Sequence, residues 1–361
     1  MSAAFVLTEN ASLTARNGFR VTARAELLVD VREPQGLAEL FAMPWFRTAP
    51  TVVLGEGSNT LIVGDVPGAV IAINSRGRTV LDDAGDSVLL RVAAGEHWDD
   101  VVRWSLGLGL AGLENLALIP GTAGAAPIQN IGAYGVEIGE FVEVVEAWDR
   151  HAQRVVRLTA AECAFGYRDS VFKRAPARWL VSAVELRLSR NRVPRFDYPG
   201  LAQELAALGA SAHPRPAQVA EAVSRLRTRK LPNPELVPNV GSFFRNPVVA
   251  AAVATELQRD APGIPSFPTA NPEQHKLSAA WLIERAGWKG HREGDAGVAA
   301  QHALVLVNHG QASGAQILAL AQRIAASVQD RFGVELEPEA RIVGAQWEAS
   351  TESATRVEAA N

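Results

Sequence analysis

Apolar positions along the chain follow two periods, and these set out its elements. Short apolar runs of strand type occur as LLVDV around Val29, at 52–54, at 61–63, as AVIAIN and as SVLLRVAAG. A short helix fits 36–41. In WDDVVRWSLGLG, Trp98, Val101, Val102 and Leu106 share a helical face. Asp99 and Asp100 suit the first turn, where the helix dipole favours negative charge. FVEVVEAWD and WLVSAVELRL predict two more strands, the second with imperfect alternation. Past Ser189 the pattern changes. NRVPRFDYPG and KLPNPELVPN read as loops. Between them, 218–229 predicts a helix with Val219, Ala222, Val223 and Leu226 facing inward, stopped at Leu231-Pro232. ALVLVN predicts a strand. Residues 313–332 predict a helix with Ser313 as N-cap, Gln316 completing a capping box and Gly333 ending it.

Strands and helices alternate without a strict βαβ rhythm, so the expected class is α+β. A length of 361 residues suggests two or three domains. Net charge is −4, which argues against bulk electrostatic binding to nucleic acid or anionic membrane. Cys163 is the single cysteine, so a disulfide framework is excluded and a reducing cytoplasm fits. The first residues lack a signal-peptide pattern, and no apolar run is long enough to span a bilayer. The seven histidines show no metal-ligand spacing.

Three glycine-rich stretches compete for a ligand. Residues 107–112 spell G-x-G-x-x-G, but they close a helix, whereas a dinucleotide fingerprint follows a strand and opens one. LGEGSNTL, from Leu54, can aim backbone N–H groups at an anion, and a plain β-turn fits it equally well. IPGTAGAAPIQNIGAYG, from Ile119, holds four glycines and four alanines interleaved with Ile119, Ile128, Ile131 and Tyr134. A flexible loop rarely carries so many side chains that favour burial, so close approach of backbone to a flat or charged ligand is the better reading.

GLENLALIPGTAGAAPIQNIGAYGVE resembles the flavin-binding signature of the UDP-N-acetylenolpyruvoylglucosamine reductase (MurB) family. LGEGSN, CAFGYRDSVFK, RTRKLPNP, GSFFRNP, KLSAAWLIERAGWKG, HALVLVN and LEPEARIVG also resemble the family, in its order, over about 17–345. The resemblance implies an FAD-binding domain of the vanillyl-alcohol-oxidase (PCMH) type and a C-terminal α/β substrate-binding domain. The first would cover 1–190 in two subdomains, with 335–348 packing back on it. The second would cover 191–334 with a lid loop, leaving 349–361 as a flexible tail. FAD would be non-covalent, with expected contacts at Gly55, Gly57, Ser58, Asn59, Pro120, Gly121, Thr122, Gly124, Ala125, Ile128 and Gly132. NADPH would be the cosubstrate and a UDP-sugar the substrate of a monomeric enzyme with no nucleic-acid partner and no membrane insertion.

The implied reaction adds hydride to an enol ether conjugated to a carboxylate. Charge builds beside the carboxylate, so cationic or donor groups and a proton source are needed there. The resemblance puts Arg168 at the catalytic arginine, Ser242 at the proton donor and Glu339 at the catalytic glutamate. Each has a plainer reading: an ion pair with Asp169, a turn serine, and an exposed acid paired with Arg341. Glu337 is the near rival of Glu339. Lys230, Asn246, Tyr198 and His302 are the implied substrate contacts, with Lys230 on the pyrophosphate and Tyr198 in the loop of the subtype with a tyrosine lid. Lys230 ends a run with Arg225, Arg227 and Arg229 that otherwise reads as a solvated helix face. Cys163, among alanines and Phe165, reads as a small buried apolar residue. Asn17-Gly18-Phe19-Arg20 departs from the family's N-T-F-G, and His302 and Phe267 stand where some relatives have glutamine and tyrosine.

Overall fold

The computed structural model describes residues 4–348; the tail expected at 349–361 lies outside the described residues. The chain forms two compact units. The first holds 4–11, Ala25–Glu56 and Pro67–Arg229; the second holds Ser12–Arg24, Gly57–Val66 and 230–348.

The first unit contains two sheets. One runs in the order Phe5–Ser12, Arg24–Val31, Val66–Ile73, Thr51–Leu54. Its last pair is parallel, with Thr51 opposite Ala69 and Leu54 opposite Ala72. Val29, Val31, Leu37, Leu40, Phe41, Ala69 and Ile71 bury its inner face, and Phe41 stacks on Trp148 with ring centroids 6.1 Å apart. The other sheet runs Arg154–Thr159, Val142–Asp149, Trp179–Ser189, Ser87–Ala93, Arg78–Ala84, with every pair antiparallel. The imperfect alternation of its central strand now has a cause. Leu180 packs into the Phe41 core while Val181 and Val184 face the opposite cluster, so both faces are covered.

That opposite cluster explains where the first unit ends. The helix Trp98–Gly107 buries Trp98, Val101 and Val102 in it, and Leu201, Leu205, Val219, Val223 and Leu226 join the same core. The division by contacts therefore falls after Arg229, whereas the sequence placed a boundary at 190.

The second unit is built on a sheet ordered Asn239–Ser242, Val305–Asn308, Ala296–Val298, Arg292–Glu293. A three-stranded sheet, Val248–Ala250, Gln274–Leu277, Ser266–Pro268, lies in the same unit. The helix Gly314–Phe332 starts as expected: Ser313 Oγ accepts the Gln316 N–H (3.2 Å) and Gln316 Oε1 accepts the Ser313 N–H (2.8 Å). It ends on Gly333 at φ +65°. Arg341–Val343 pairs in parallel with Thr60–Ile62, so the C-terminal segment returns to the strand that follows LGEGSN. Among the described residues no helix is long and apolar enough to cross a membrane.

Candidate active site

In the first unit the strand Thr51–Leu54 delivers Gly55 against Thr122, where a Cβ would stand 3.1 Å from Thr122 Oγ1. The 120–128 stretch is a chain of tight turns. Gly121, at φ +116°, gives its carbonyl to the Trp98 N–H (2.9 Å), which ties it to the start of helix Trp98–Gly107. Gly124 donates to Ala94 O (2.9 Å), Ala125 to Thr122 O (3.0 Å) and Ile128 to Ala125 O (3.2 Å). Those N–H groups are bonded within the chain, so Gly124, Ala125 and Ile128 offer a ligand close backbone approach rather than donors. Ile119, Ile128 and Tyr134 are only partly covered beside these small residues. Apolar side chains left half-bare along a small-residue trough suit a flat ring system with an apolar portion, as flavin is. Pro120 and Gly132 complete the predicted set in this unit.

Gly107-to-Gly112 closes a helix, as its position in the sequence indicates. Gly107 is the last helical residue, and a Cβ on Gly112 would meet the Phe141 ring at 2.7 Å. Of these glycines, Gly112 serves packing, while Gly107 and Gly109 have open space around them.

Arg168, also in the first unit, has φ +55°, a conformation arginine rarely adopts. Its Nη2 donates to Gly132 O (2.6 Å), and a Cβ on Gly132 would lie 2.8 Å from Arg168 Nη1. Gly132 thus leaves room for the guanidinium beside it. Asp169, the plainer partner offered for Arg168, pairs with Arg174 (2.5 Å). Tyr198 is 41% exposed in its loop and meets Tyr134 edge to face at 5.0 Å.

Structure separates the basic run that ends at Lys230. Arg225 pairs with Glu221 (2.7 Å) and Arg229 with Glu204. Arg227 sits on the inward stripe four residues after Val223; burial pushes its guanidinium below the ordinary arginine range, against the pull of Tyr134 and Asp99. Arg227 is a candidate that sequence reading missed. The helical spacing from Val223 was the available signal.

In the second unit, Gly57 turns at φ +67°, where a Cβ would stand 2.8 Å from Asn17 Cα. Its carbonyl accepts the N–H groups of Gly18 (3.0 Å) and Thr60 (3.2 Å). Ser58 and Asn59 follow, and Asn59 joins the C-terminal segment: its Nδ2 donates to Glu339 O (3.3 Å) and its carbonyl accepts the Arg341 N–H (3.0 Å). The same unit holds Ser242 and Glu339 close in the fold. The Glu339 N–H donates to the carbonyl of Phe243, the residue after Ser242 (2.7 Å). A register shift between Asn239 and Ser242, with Gly241 at φ +74°, re-aims the end of that strand. The rival Glu337 is held by Arg245. Gly18 lies against the same strand: a Cβ on Gly18 would stand 2.6 Å from Asn239 O.

Lys230 and His302 are electrostatic neighbours in this unit. Burial, then Lys230 and Lys289, pushes the His302 imidazole below its ordinary value. Its Nδ1 accepts the Leu304 N–H (3.2 Å). Asn246 Oδ1 accepts the Ala279 N–H (3.0 Å) at the start of helix Ala279–Arg285, which leaves its Nδ2 hydrogens as donors. Cys163 is fully buried, and burial pushes its thiol up to about 12; it is a core residue.

Fold and site define a flavoprotein class: residues 25–158 match the family model of an FAD binding domain. Residues 232–343 match the C-terminal domain of UDP-N-acetylenolpyruvoylglucosamine reductase. The UDP-N-acetylenolpyruvoylglucosamine reductase of Xanthomonas euvesicatoria pv. vesicatoria (strain 85-10) is 52% identical over 341 residues, covering 94% of this chain and 97% of that one. That of Xylella fastidiosa (strain M12) is 52% identical over 343 residues, 95% and 97% of the two chains. The crystal structure of UDP-N-acetylenolpyruvylglucosamine reductase from Thermus caldophilus matches with a TM-score of 0.65 at 25% identity, over 94% of this chain and 98% of that one. The chain belongs to the UDP-N-acetylenolpyruvoylglucosamine reductase family. The resemblance in the motifs is borne out, as is the pairing of an FAD-binding domain with a family-specific C-terminal domain.

Proposed function

We propose that this chain reduces UDP-N-acetylglucosamine enolpyruvate to UDP-N-acetylmuramate, a step in peptidoglycan precursor synthesis, with FAD as bound cofactor and NADPH as electron donor. The observation that carries this reading is identity of 52% with a named reductase over 94% of the chain.

Bound flavin, once reduced by NADPH, supplies a hydride for the terminal carbon of the substrate's alkene. The chain's own residues deal with the charge and the proton. Arg168 takes the substrate carboxylate through two parallel N–H bonds, which also draws developing charge away from the neighbouring carbon. Ser242 gives its hydroxyl proton to that carbon. A serine hydroxyl is a weak acid, but a carbanion-like enolate is a strong base, so the transfer runs downhill. Glu339 stabilises the enolate oxygen as charge develops there. Lys230 and the Asn246 amide hold the pyrophosphate, His302 adds a neutral contact, and Tyr198 closes over the substrate from its loop. Gly55, Gly57, Ser58, Asn59, Pro120, Gly121, Thr122, Gly124, Ala125, Ile128 and Gly132 receive the flavin. The protein acts as a cytoplasmic monomer.

Replacing Ser242 tests the assignment. Ser242→Ala should bleach its flavin with NADPH at the normal rate and then fail to recover the oxidised spectrum when the enolpyruvyl UDP-sugar is added without oxygen. Full turnover by that variant removes Ser242 from the proton-donor role.

A further inference from the structure

Three hydrogen bonds lace alternate residues of 128–132 to the loop at 166–170, all within the first unit. Ser170 Oγ donates to Ile128 O (2.5 Å), Asn130 Nδ2 to Gly166 O (3.0 Å), and Arg168 Nη2 to Gly132 O (2.6 Å). The middle rung comes from a side chain with 1% exposure. Asn130 has φ +45°, a region that asparagine enters more readily than most residues. The second hydrogen on its Nδ2 goes to Glu137 Oε2 (2.7 Å), and its Oδ1 accepts the Gly139 N–H (2.9 Å). Two donors and an acceptor on one short planar group are a demand that neither aspartate nor serine meets.

The other end of this bond is the turn that carries Arg168. Gly166 and Asp169 exchange backbone hydrogen bonds of 3.0 and 3.1 Å, which leaves Tyr167 and Arg168 at the corners. Lys173 Nζ donates to the Arg168 carbonyl (2.8 Å), which holds the arginine in its left-handed backbone conformation. Among the bonds that fasten the turn, Asn130 acts at Gly166 and Lys173 at the backbone of Arg168 itself.

We propose that Asn130 is a positioning residue for Arg168, with Lys173 as its counterpart: together they fix the arginine's turn against the segment from Ile128 to Gly132. This rests on the reading of Arg168 as the group that binds the substrate carboxylate. The arginine is needed when substrate is reduced and not when NADPH reduces the flavin, so the two half-reactions separate its positioning from general support of the fold.

The test is a double-mutant cycle on the FAD-loaded enzyme, with Asn130→Ala, Arg168→Ala and the pair. Two rates are followed anaerobically: flavin reduction by NADPH, and reoxidation by the enolpyruvyl UDP-sugar. Asn130→Ala should slow reoxidation on the order of 10²-fold, the usual effect of misplacing a catalytic group by about 1 Å, and leave reduction unchanged. In the Arg168→Ala background it should cost nothing further. Additive losses, or equal slowing of both half-reactions, overturn the proposal. Reoxidation at the wild-type rate by Arg168→Ala defeats the assignment of Arg168 itself. Should Asn130→Ala fail to fold, Lys173→Met releases the same turn from the other side and predicts the same selective loss. Lys173→Arg, which keeps a donor for the Arg168 carbonyl, should recover most of the rate; no recovery counts against the proposal.

Discussion

Gly124→Ala tests the flavin trough at a close approach of its backbone to Ala94. The added Cβ would stand 2.5 Å from Ala94 Cβ, 3.0 Å from Ala94 Cα and 3.2 Å from its carbonyl oxygen. Carbon atoms pack comfortably at roughly 3.5–4.0 Å, so the turn at 121–126 has to move by about 1 Å. Two of its anchors stretch as it moves, Gly124 N–H to Ala94 O (2.9 Å) and Ala123 N–H to Glu96 O (2.8 Å). Overpacking of this kind costs about 1–3 kcal/mol, and loss of one hydrogen bond about 1 kcal/mol more. Together they predict a loss of about 2–4 kcal/mol, divided between unfolding and FAD binding. FAD titration of apoprotein should show affinity weakened by about tenfold or more, and urea unfolding should show a lower midpoint. Gly107→Ala is the matched control. Nothing lies within 4 Å of its Cβ, and it belongs to the G-x-G-x-x-G look-alike. That variant should bind FAD normally and gain up to about 1 kcal/mol of stability. Wild-type FAD affinity and stability in Gly124→Ala, or weakened FAD binding in Gly107→Ala, would refute the placement of the trough.

Asp149 supplies a pH-dependent prediction. Arg178 reaches its carboxylate with two bonds (3.1 and 2.6 Å), and with the His151 and Ala152 N–H groups overcomes burial to hold it from 3.8 down to about 2. The drop of about 1.8 is worth at most about 2.4 kcal/mol; Arg178 keeps 40% of its side chain exposed, and screening reduces this to about 1 kcal/mol. The contribution is full above 3.8 and lost as pH falls through about 2. Arg178→Met should therefore be about 1 kcal/mol less stable than wild type at pH 7 by chemical denaturation, with the gap closing toward pH 2; a gap that stays constant to acid pH contradicts the pairing. Cys163 is 0% exposed with its thiol pushed up to about 12, so a thiol reagent at pH 8 should modify it only as fast as the protein opens. Rapid labelling of native protein goes against its burial.

Local chemistry made much of the architecture legible. Ser313, Gln316 and Gly333 carry their own helix boundaries because capping depends on neighbours in sequence. The inward faces at Val101 and Val223 follow from periodicity alone. Strands escaped where their surroundings, not their composition, decide pairing. Arg78–Ala84 is an edge strand with every residue exposed, so its sequence shows no buried face. Arg154–Thr159, at the opposite edge, buries only Leu158, with Val156 partly covered, so its inward face is short. The site was legible only in part. Glycines at Gly55, Gly57 and Gly124 mark close approaches that motif density suggested. Arg227 read as surface because a charge run says nothing about which member turns inward. Asn130 passed unnoticed in a run of small residues, since its partners at Gly166, Glu137 and Gly139 come together only in the fold.

The absorption spectrum of the purified full-length protein, taken without oxygen, tests the central claim most directly. The protein should be yellow, lose its flavin band on addition of NADPH, and regain it when UDP-N-acetylglucosamine enolpyruvate is supplied. A protein that takes up no flavin, or a reduced flavin that oxygen restores and the enolpyruvyl UDP-sugar does not, contradicts the account.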